Sequence, residues 1–286
     1  MSAPFIAVDW GTSRRRALRI ANGRVTARRV DDCGVRTIGS GGFPAEAAAL
    51  RAELGDLPLL MAGMVGSTIG WALAPYVAAP ASLADLHAAL HRIDAATLIV
   101  PGVSQPDPAE VMRGEELLVL GALAAWPLAG EARFCQPGTH CKWVTTHGDR
   151  ITGLASAMTG ELFALLRDHS LLAAELAGAA GDGAAFRDGV RRGAEGGIGA
   201  ALFSIRSRRL LGQPVDGAAF ASGVLIGEDV ARHVGGAEEI LLLSQGPLAD
   251  LYAAAFETLG ARHRALDSEA ALVAGMTRLW EIEHGQ

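Results

Sequence analysis

Phe5-Ile6-Ala7-Val8-Asp9-Trp10-Gly11-Thr12-Ser13 is the stretch that decides how this chain is read. Its first four residues form a short apolar strand, and the acidic Asp9 stands at the end of it. Gly11-Thr12-Ser13 then make a polar turn. In such a turn glycine lets the backbone approach a ligand closely, and the exposed N–H groups and hydroxyls suit phosphate oxygens. Asp9 adds a hard oxygen ligand, able to hold Mg2+ directly or through water, because Mg2+ keeps much of its hydration shell. Ala17–Ile20 and Val25–Val30 read as strands joined around Asn22-Gly23, a strong hairpin signal. The chain therefore opens as an antiparallel meander.

Outward from this meander, Pro44–Leu54 reads as a helix and Leu57–Met61 as a buried strand ending in Gly63-Met64-Val65-Gly66-Ser67. Leu83–His91 is a short helix and Leu98–Val100 a strand. Pro101–Pro108 holds three prolines and reads as a loop and linker, followed by a helix over Val111–Ala125. The second half then restarts the pattern. Ala132–Gln136 is a strand, Pro137-Gly138-Thr139-His140 a turn, and Lys142–Thr146 and Arg150–Leu154 are strands. Helices follow over 160–172, 184–192, 197–211 and 217–233. The strand Ile240–Leu243 stops at Ser244-Gln245-Gly246-Pro247, and helices over 248–259 and 268–283 close the chain. Each half opens as strand, Gly-Thr turn, strand. The pattern predicts two α/β domains, 1–125 and 126–286, with both Gly-Thr turns on one cleft.

The composition agrees. A chain of 286 residues suits two domains. Half the residues are hydrophobic and 20% are charged, which excludes a disordered chain. With 25 basic against 31 acidic residues, the net charge of −6 argues against a nucleic-acid partner. Leu57–Ala84 carries no charge and is long enough to span a bilayer. Pro58, Pro75 and Pro80 break it, and Gly63, Gly66 and Gly70 punctuate it, so buried strand and loop are expected instead of a membrane segment. Cys33, Cys135 and Cys141 match neither a zinc cluster nor a disulfide framework. Residues 1–10 lack the basic and apolar regions of an export signal, and a cytoplasmic protein is the expectation.

Several blocks together carry a resemblance. Ala7-Val8-Asp9-Trp10-Gly11-Thr12-Ser13 resembles the first phosphate motif of the sugar kinase, hexokinase, actin and Hsp70 superfamily. Within it, the chain resembles the 2-dehydro-3-deoxygalactonokinase family through Gly63-Met64-Val65-Gly66-Ser67, Gly70-Trp71, Ala74-Pro75-Tyr76 and Val111-Met112-Arg113-Gly114-Glu115-Glu116. The match continues through Pro137-Gly138-Thr139-His140-Cys141-Lys142-Trp143-Val144, Met158-Thr159-Gly160-Glu161-Leu162 and Phe220–Gly227, in the family's order and across most of the chain. Cys141 stands where the family usually has Ser, and Glu110 where it usually has Asp. The resemblance implies two actin-like, ribonuclease H-like domains, each a mixed sheet with flanking helices, facing a central cleft. It implies transfer of the ATP γ-phosphoryl group to the 6-hydroxyl of 2-dehydro-3-deoxy-D-galactonate, a small keto sugar acid, in galactonate breakdown. The oligomeric state stays open, with a homodimer as one form.

On this resemblance Asp9 handles Mg2+ and charge, while Gly11, Thr12, Ser13, Gly138 and Thr139 bind ATP phosphates. Gly246, in a strand-to-helix turn, corresponds to where the superfamily seats adenosine. Gln136 and Pro137 precede the second turn, and neither can take a proton. Glu115, at an expected helix start favoured for an anion, is therefore the candidate orienting carboxylate, with Glu116, Glu161 and His140 as alternatives. A keto acid's carboxylate suits Arg113 or Lys142, arginine offering bidentate geometry. Met64, Ser67, Trp71, His140 and Glu161 complete the candidate substrate site. Arg14-Arg15-Arg16 reads as a solvated strand face. The rival readings are a kinase of another sugar or sugar acid on the same fold, and a non-catalytic sensor of a sugar acid or ATP. A sensor need not keep both Asp9 and Glu115, and this chain has both.

Overall fold

The computed structural model describes residues 3–39, 41–236 and 239–285. Its contacts divide the chain into two compact units. One comprises the segment up to Glu131, together with Val144–Leu154 and the stretch from Ser268 onward; the other comprises Ala132–Trp143 and Ala155–Asp267.

In the first unit, β1 (Phe5–Trp10), β2 (Arg15–Ala21) and β3 (Arg24–Asp31) form the expected antiparallel meander. The helix α1 (Phe43–Leu54) leads into β4 (Leu59–Gly63), which pairs parallel to β1. After β5 (Tyr76–Ala78) and α2 (Leu83–Ala88) come β6 (His91–Asp94) and β7 (Thr97–Ile99). The main sheet has the order β3-β2-β1-β4-β7-β6. Its core is aliphatic and aromatic: Ile6, Val8, Trp10, Leu50, Leu59, Met61 and Ile99 are all fully buried. Each such side chain contributes about 1.5–3 kcal/mol of hydrophobic stabilisation.

The three-proline segment is not a linker. It forms a hairpin of β8 (Gly102–Pro106) and β9 (Ala109–Met112), which joins β5 in a small separate sheet. Proline tolerates the ends of short strands, so a segment rich in it mimics a loop in sequence. Val111 and Met112 accordingly belong to β9, and the helix α3 spans Glu115–Ala125.

The second large sheet opens with β10 (Glu131–Gln136), β11 (Cys141–His147) and β12 (Arg150–Ala157), of which Val144–Leu154 groups with the first unit; α4 (Thr159–His169), α5 (Ala184–Ala194), α6 (Ile198–Leu210) and α7 (Gly217–His233) follow in the second unit. Then come β13 (Ile240–Leu242), α8 (Pro247–Thr258) and β14 (His263–Ala265), in a sheet ordered β12-β11-β10-β13-β14. Residues Gly217–Gly227 of α7 are all buried, so this helix runs through the core instead of lying on it. The last helix, α9 (Ser268–Glu283), returns to the first unit. There Trp280 stacks on Phe5 at 4.8 Å and donates to the Ala3 carbonyl. Among the described residues no helix is long and apolar enough to cross a membrane.

Candidate active site

In the first unit Trp10 lies opposite Gly63 on parallel strands, so the carboxyl ends of β1 and β4 share one edge of the sheet. That edge is where α/β sheets bind ligands. The turn after β1 is closed by the Gly11 N–H donating to the Arg14 carbonyl at 2.9 Å. A second loop braces it from behind. The N–H groups of Val35 and Arg36 donate to the carbonyls of Gly11 and Thr12, and a Cβ on Gly34 would meet the Thr12 oxygen at 2.4 Å. Asp9 faces Arg16 across the strands and accepts from its Nη2 at 3.2 Å, yet stays partly open to solvent.

The arginine run departs from the sequence reading. Arg15 is 1% exposed. Its guanidinium lies 4.8 Å over the Trp10 ring and donates to both Asp31 and Glu46 at 2.8 Å. A charge turned inward by strand alternation must be paired, and these acids pair it. Burial pushes the Asp31 carboxyl up, but hydrogen bonds from Arg15 and Arg29 outweigh it and hold the group at about 2.

Beyond β4, Met64–Gly66 form a 3-10 turn, and Ser67 Oγ donates back to the Met64 carbonyl at 2.7 Å. Trp71 stacks on Phe43 and packs, with Met64, against the core. The start of α3 comes to the same strand end. Gly114 has φ +106°, and a Cβ on it would meet Gly63 Cα at 3.1 Å, so only glycine suits that approach. Glu115 accepts from the Arg113 N–H at 3.0 Å, and Glu116 accepts from the Gly114 N–H at 2.8 Å. Burial first, then the charge of Glu115, pushes Glu116 up to about 8. With no exposure, and with its carboxyl held on the Gly114 N–H, Glu116 does not reach the surface where an acceptor hydroxyl would lie.

Arg113 is 8% exposed. Its Nη2 donates to the Ala74 carbonyl at 2.9 Å and its guanidinium stacks on Tyr76, while Nε and Nη1 are buried without a hydrogen-bond partner. Among the described residues there is no group of three or more His, Cys, Asp or Glu side chains suited to a metal. Asp9 thus offers a single carboxylate. That fits a Mg2+ ion carried mainly by nucleotide phosphates and water, the usual manner for this ion in phosphoryl-transfer sites.

In the second unit β10 and β13 run parallel, with Cys135 opposite Leu242. The Gly138-Thr139 turn follows β10, and Gly246 follows β13, so the two leave neighbouring strands at the same end. Gly246 caps α8 with φ +82° and has open space around it. The start of α4 clamps the Gly138-Thr139 turn. Glu161 N–H donates to the Thr139 carbonyl at 2.9 Å, and a Cβ on Gly160 would meet the Gly138 oxygen at 2.6 Å. His140 pairs with Glu161, and Lys142 Nζ donates to Ser156 at 2.7 Å.

Below this turn lies a buried polar cluster that sequence reading missed. Asp229, with no exposure, accepts from Trp143 Nε1 at 2.8 Å and from the Tyr252 hydroxyl at 2.6 Å. Tyr252 also contacts the Thr159 hydroxyl at 3.0 Å. The one available signal was Asp229 falling on the apolar face of the helix over 217–233. Arg15 left none, because a basic run reads as solvated.

Two units, each with a mixed sheet and a Gly-Thr turn at a strand end, are the architecture of the actin-like ATPase class of fold. At 12% identity the chain shares its fold with component A of the (R)-2-hydroxyglutaryl-CoA dehydratase of Acidaminococcus fermentans, with a TM-score of 0.51 over 99% of this chain and 100% of that one. The chain belongs to the 2-keto-3-deoxy-galactonokinase family, whose model matches residues 9–279. It is 38% identical to a Rhizobium meliloti (strain 1021) protein named "Probable 2-dehydro-3-deoxygalactonokinase DgoK1", over 96% of this chain and 95% of that one. It is 35% identical to the 2-dehydro-3-deoxygalactonokinase of Escherichia coli (strain K12), over 96% and 97%. A crystal structure of the same family from Sinorhizobium meliloti superposes with a TM-score of 0.92 at 36% identity, covering 98% of this chain and 99% of that one.

Proposed function

We propose that this protein transfers the γ-phosphoryl group of ATP to the 6-hydroxyl of 2-dehydro-3-deoxy-D-galactonate. The observation that carries the reading is the match to a kinase family across residues 9–279, a span that holds both Gly-Thr turns. It favours a kinase over a sensor.

The roles follow the chemistry of the transfer. The acceptor oxygen attacks phosphorus, the bond to the ADP oxygen breaks, and the hydroxyl proton leaves. Such a reaction needs positioning and charge neutralisation more than covalent help. The candidate phosphate-binding residues are Gly11, Thr12 and Ser13 of the first Gly-Thr turn and Gly138 and Thr139 of the second. Gly246, exposed and uncrowded, suits the adenosine. Asp9 would hold Mg2+, which when bound neutralises phosphate charge. Glu115 orients the acceptor hydroxyl, as its fixed place at a helix N-terminus suits. Arg113 is the candidate for the substrate carboxylate, which would reach its two unpaired donors only once the packing over them shifts. Met64, Ser67 and Trp71 in the first unit, and His140, Lys142 and Glu161 in the second, are the further candidate substrate contacts.

The experiment is an ADP-release assay across keto sugar acids, neutral sugars and no acceptor. Turnover confined to keto-deoxy sugar acids supports the reading. Equal turnover with neutral sugars, or none with any acceptor, refutes it.

A further inference from the structure

We propose that Tyr252 and Asp229 are positioning residues for the second Gly-Thr turn, holding both of its flanks in the shape that receives a nucleotide phosphate. The proposal rests on reading that turn as a phosphate site.

The connection is continuous through named atoms. Asp229 sits on α7 with no exposure. One of its oxygens accepts from Trp143 Nε1, and Trp143 lies on β11, the strand that leaves the turn. His233 sits on the same side, its Nδ1 2.8 Å from the Asp229 backbone carbonyl and 3.1 Å from Oδ1, with its ring stacked on Trp143 at 4.9 Å. The other oxygen accepts the hydroxyl proton of Tyr252. A phenol has one proton, so the Thr159 hydroxyl donates to the Tyr252 oxygen at 3.0 Å. Thr159 is the first residue of α4. The next two residues touch the turn itself: Gly160 against the Gly138 oxygen and Glu161 N–H on the Thr139 carbonyl.

One buried carboxyl thus ties the strand on one side of the turn to the helix start on the other. Apolar packing would hold these elements together at no polar desolvation cost. What the polar links add is direction. Each hydrogen bond tolerates a narrow range of distance and angle, so the first turn of α4 is fixed in orientation against β11. Backbone N–H groups that receive a phosphate need that orientation.

The test measures KM for ATP and for the keto sugar acid separately, in the whole enzyme. Tyr252→Phe and Thr159→Val each remove one link and keep the shape of the side chain, so the protein still folds. Each should raise KM for ATP three- to tenfold and leave KM for the sugar acid within twofold. Combining them should do no more than either alone, because they break the same chain. Thr159→Ser, which keeps the hydroxyl, should restore the ATP value. An unchanged KM for ATP, or a parallel rise in both KM values together with a lowered melting temperature, overturns the positioning role. Thr139→Val separates the two levels. If it leaves KM for ATP unchanged, the phosphate reading of the turn falls and the proposal falls with it. If it raises that KM while Tyr252→Phe does not, the positioning role alone falls.

Discussion

The guanidinium of Arg113 lies 4.3 Å above the ring of Tyr76, with Nη2 committed to the Ala74 carbonyl. Three blocks of sequence therefore meet around one cation: Ala74-Pro75-Tyr76, the strand end at Gly63–Gly66, and the start of α3. Lysine cannot stack or donate in this planar way. Arg113→Lys should raise KM for the keto acid at least tenfold, about 1.4 kcal/mol, while KM for ATP stays within twofold. Steady-state kinetics with each substrate varied in turn checks this. An unchanged KM for the keto acid removes Arg113 from the substrate site.

Glu116 makes stability depend on pH. Its folded pKa, about 8, lies above the ordinary 4.5. Between those values the unfolded chain has released the proton and the folded chain has kept it, so folding loses stability as pH rises through this window. Glu116→Gln removes the effect. The melting temperature of the parent should fall from pH 5 to pH 8 more steeply than that of the variant, by an amount worth a few kcal/mol. Parallel curves for the two proteins would remove Glu116 as the cause.

Gly34 lets the bracing loop lie against the first Gly-Thr turn. A Cβ there would stand 2.4 Å from the Thr12 oxygen and from the Ser13 carbonyl carbon, both backbone atoms with little room to yield. Gly34→Ala should cost about 1–3 kcal/mol of stability, as overpacking does. It should also raise KM for ATP more than KM for the sugar acid. Thermal denaturation and kinetics on the same preparation check both parts.

Asp9→Asn should abolish transfer and leave the fold intact if Asp9 holds Mg2+ as proposed, because the strand itself does not need the charge. Circular dichroism and the ADP-release assay are the readouts. Wild-type turnover or wholesale unfolding contradicts the assigned role.

Much of this was legible in the sequence, for physical reasons that differ by element. The opening meander was readable because β1–β3 are bounded by a Gly-Thr-Ser turn and by Asn22-Gly23. The long helix over 217–233 was readable from its length and uniform patterning. The small sheet of β5, β8 and β9 was not, since three- to five-residue strands flanked by prolines carry no periodic signal. The start of α3 was set too early because Gly114, at φ +106°, breaks the chain direction just where Val111 and Met112 look helical. At the site, exposed turn residues and motif cations could be named in advance. Arg15, Asp229 and Tyr252 could not, because a buried polar residue is specified by partners 16 to 93 positions away.

The most direct measurement is the structure of the product. Incubation with ATP and 2-dehydro-3-deoxy-D-galactonate, followed by phosphorus–proton correlation NMR, identifies the oxygen that carries the new phosphate. The account predicts one ADP formed for each sugar-acid phosphate, with phosphorus coupled to the protons on C6. Phosphate on another oxygen, or inorganic phosphate as the sole phosphorus product besides ADP, would contradict it.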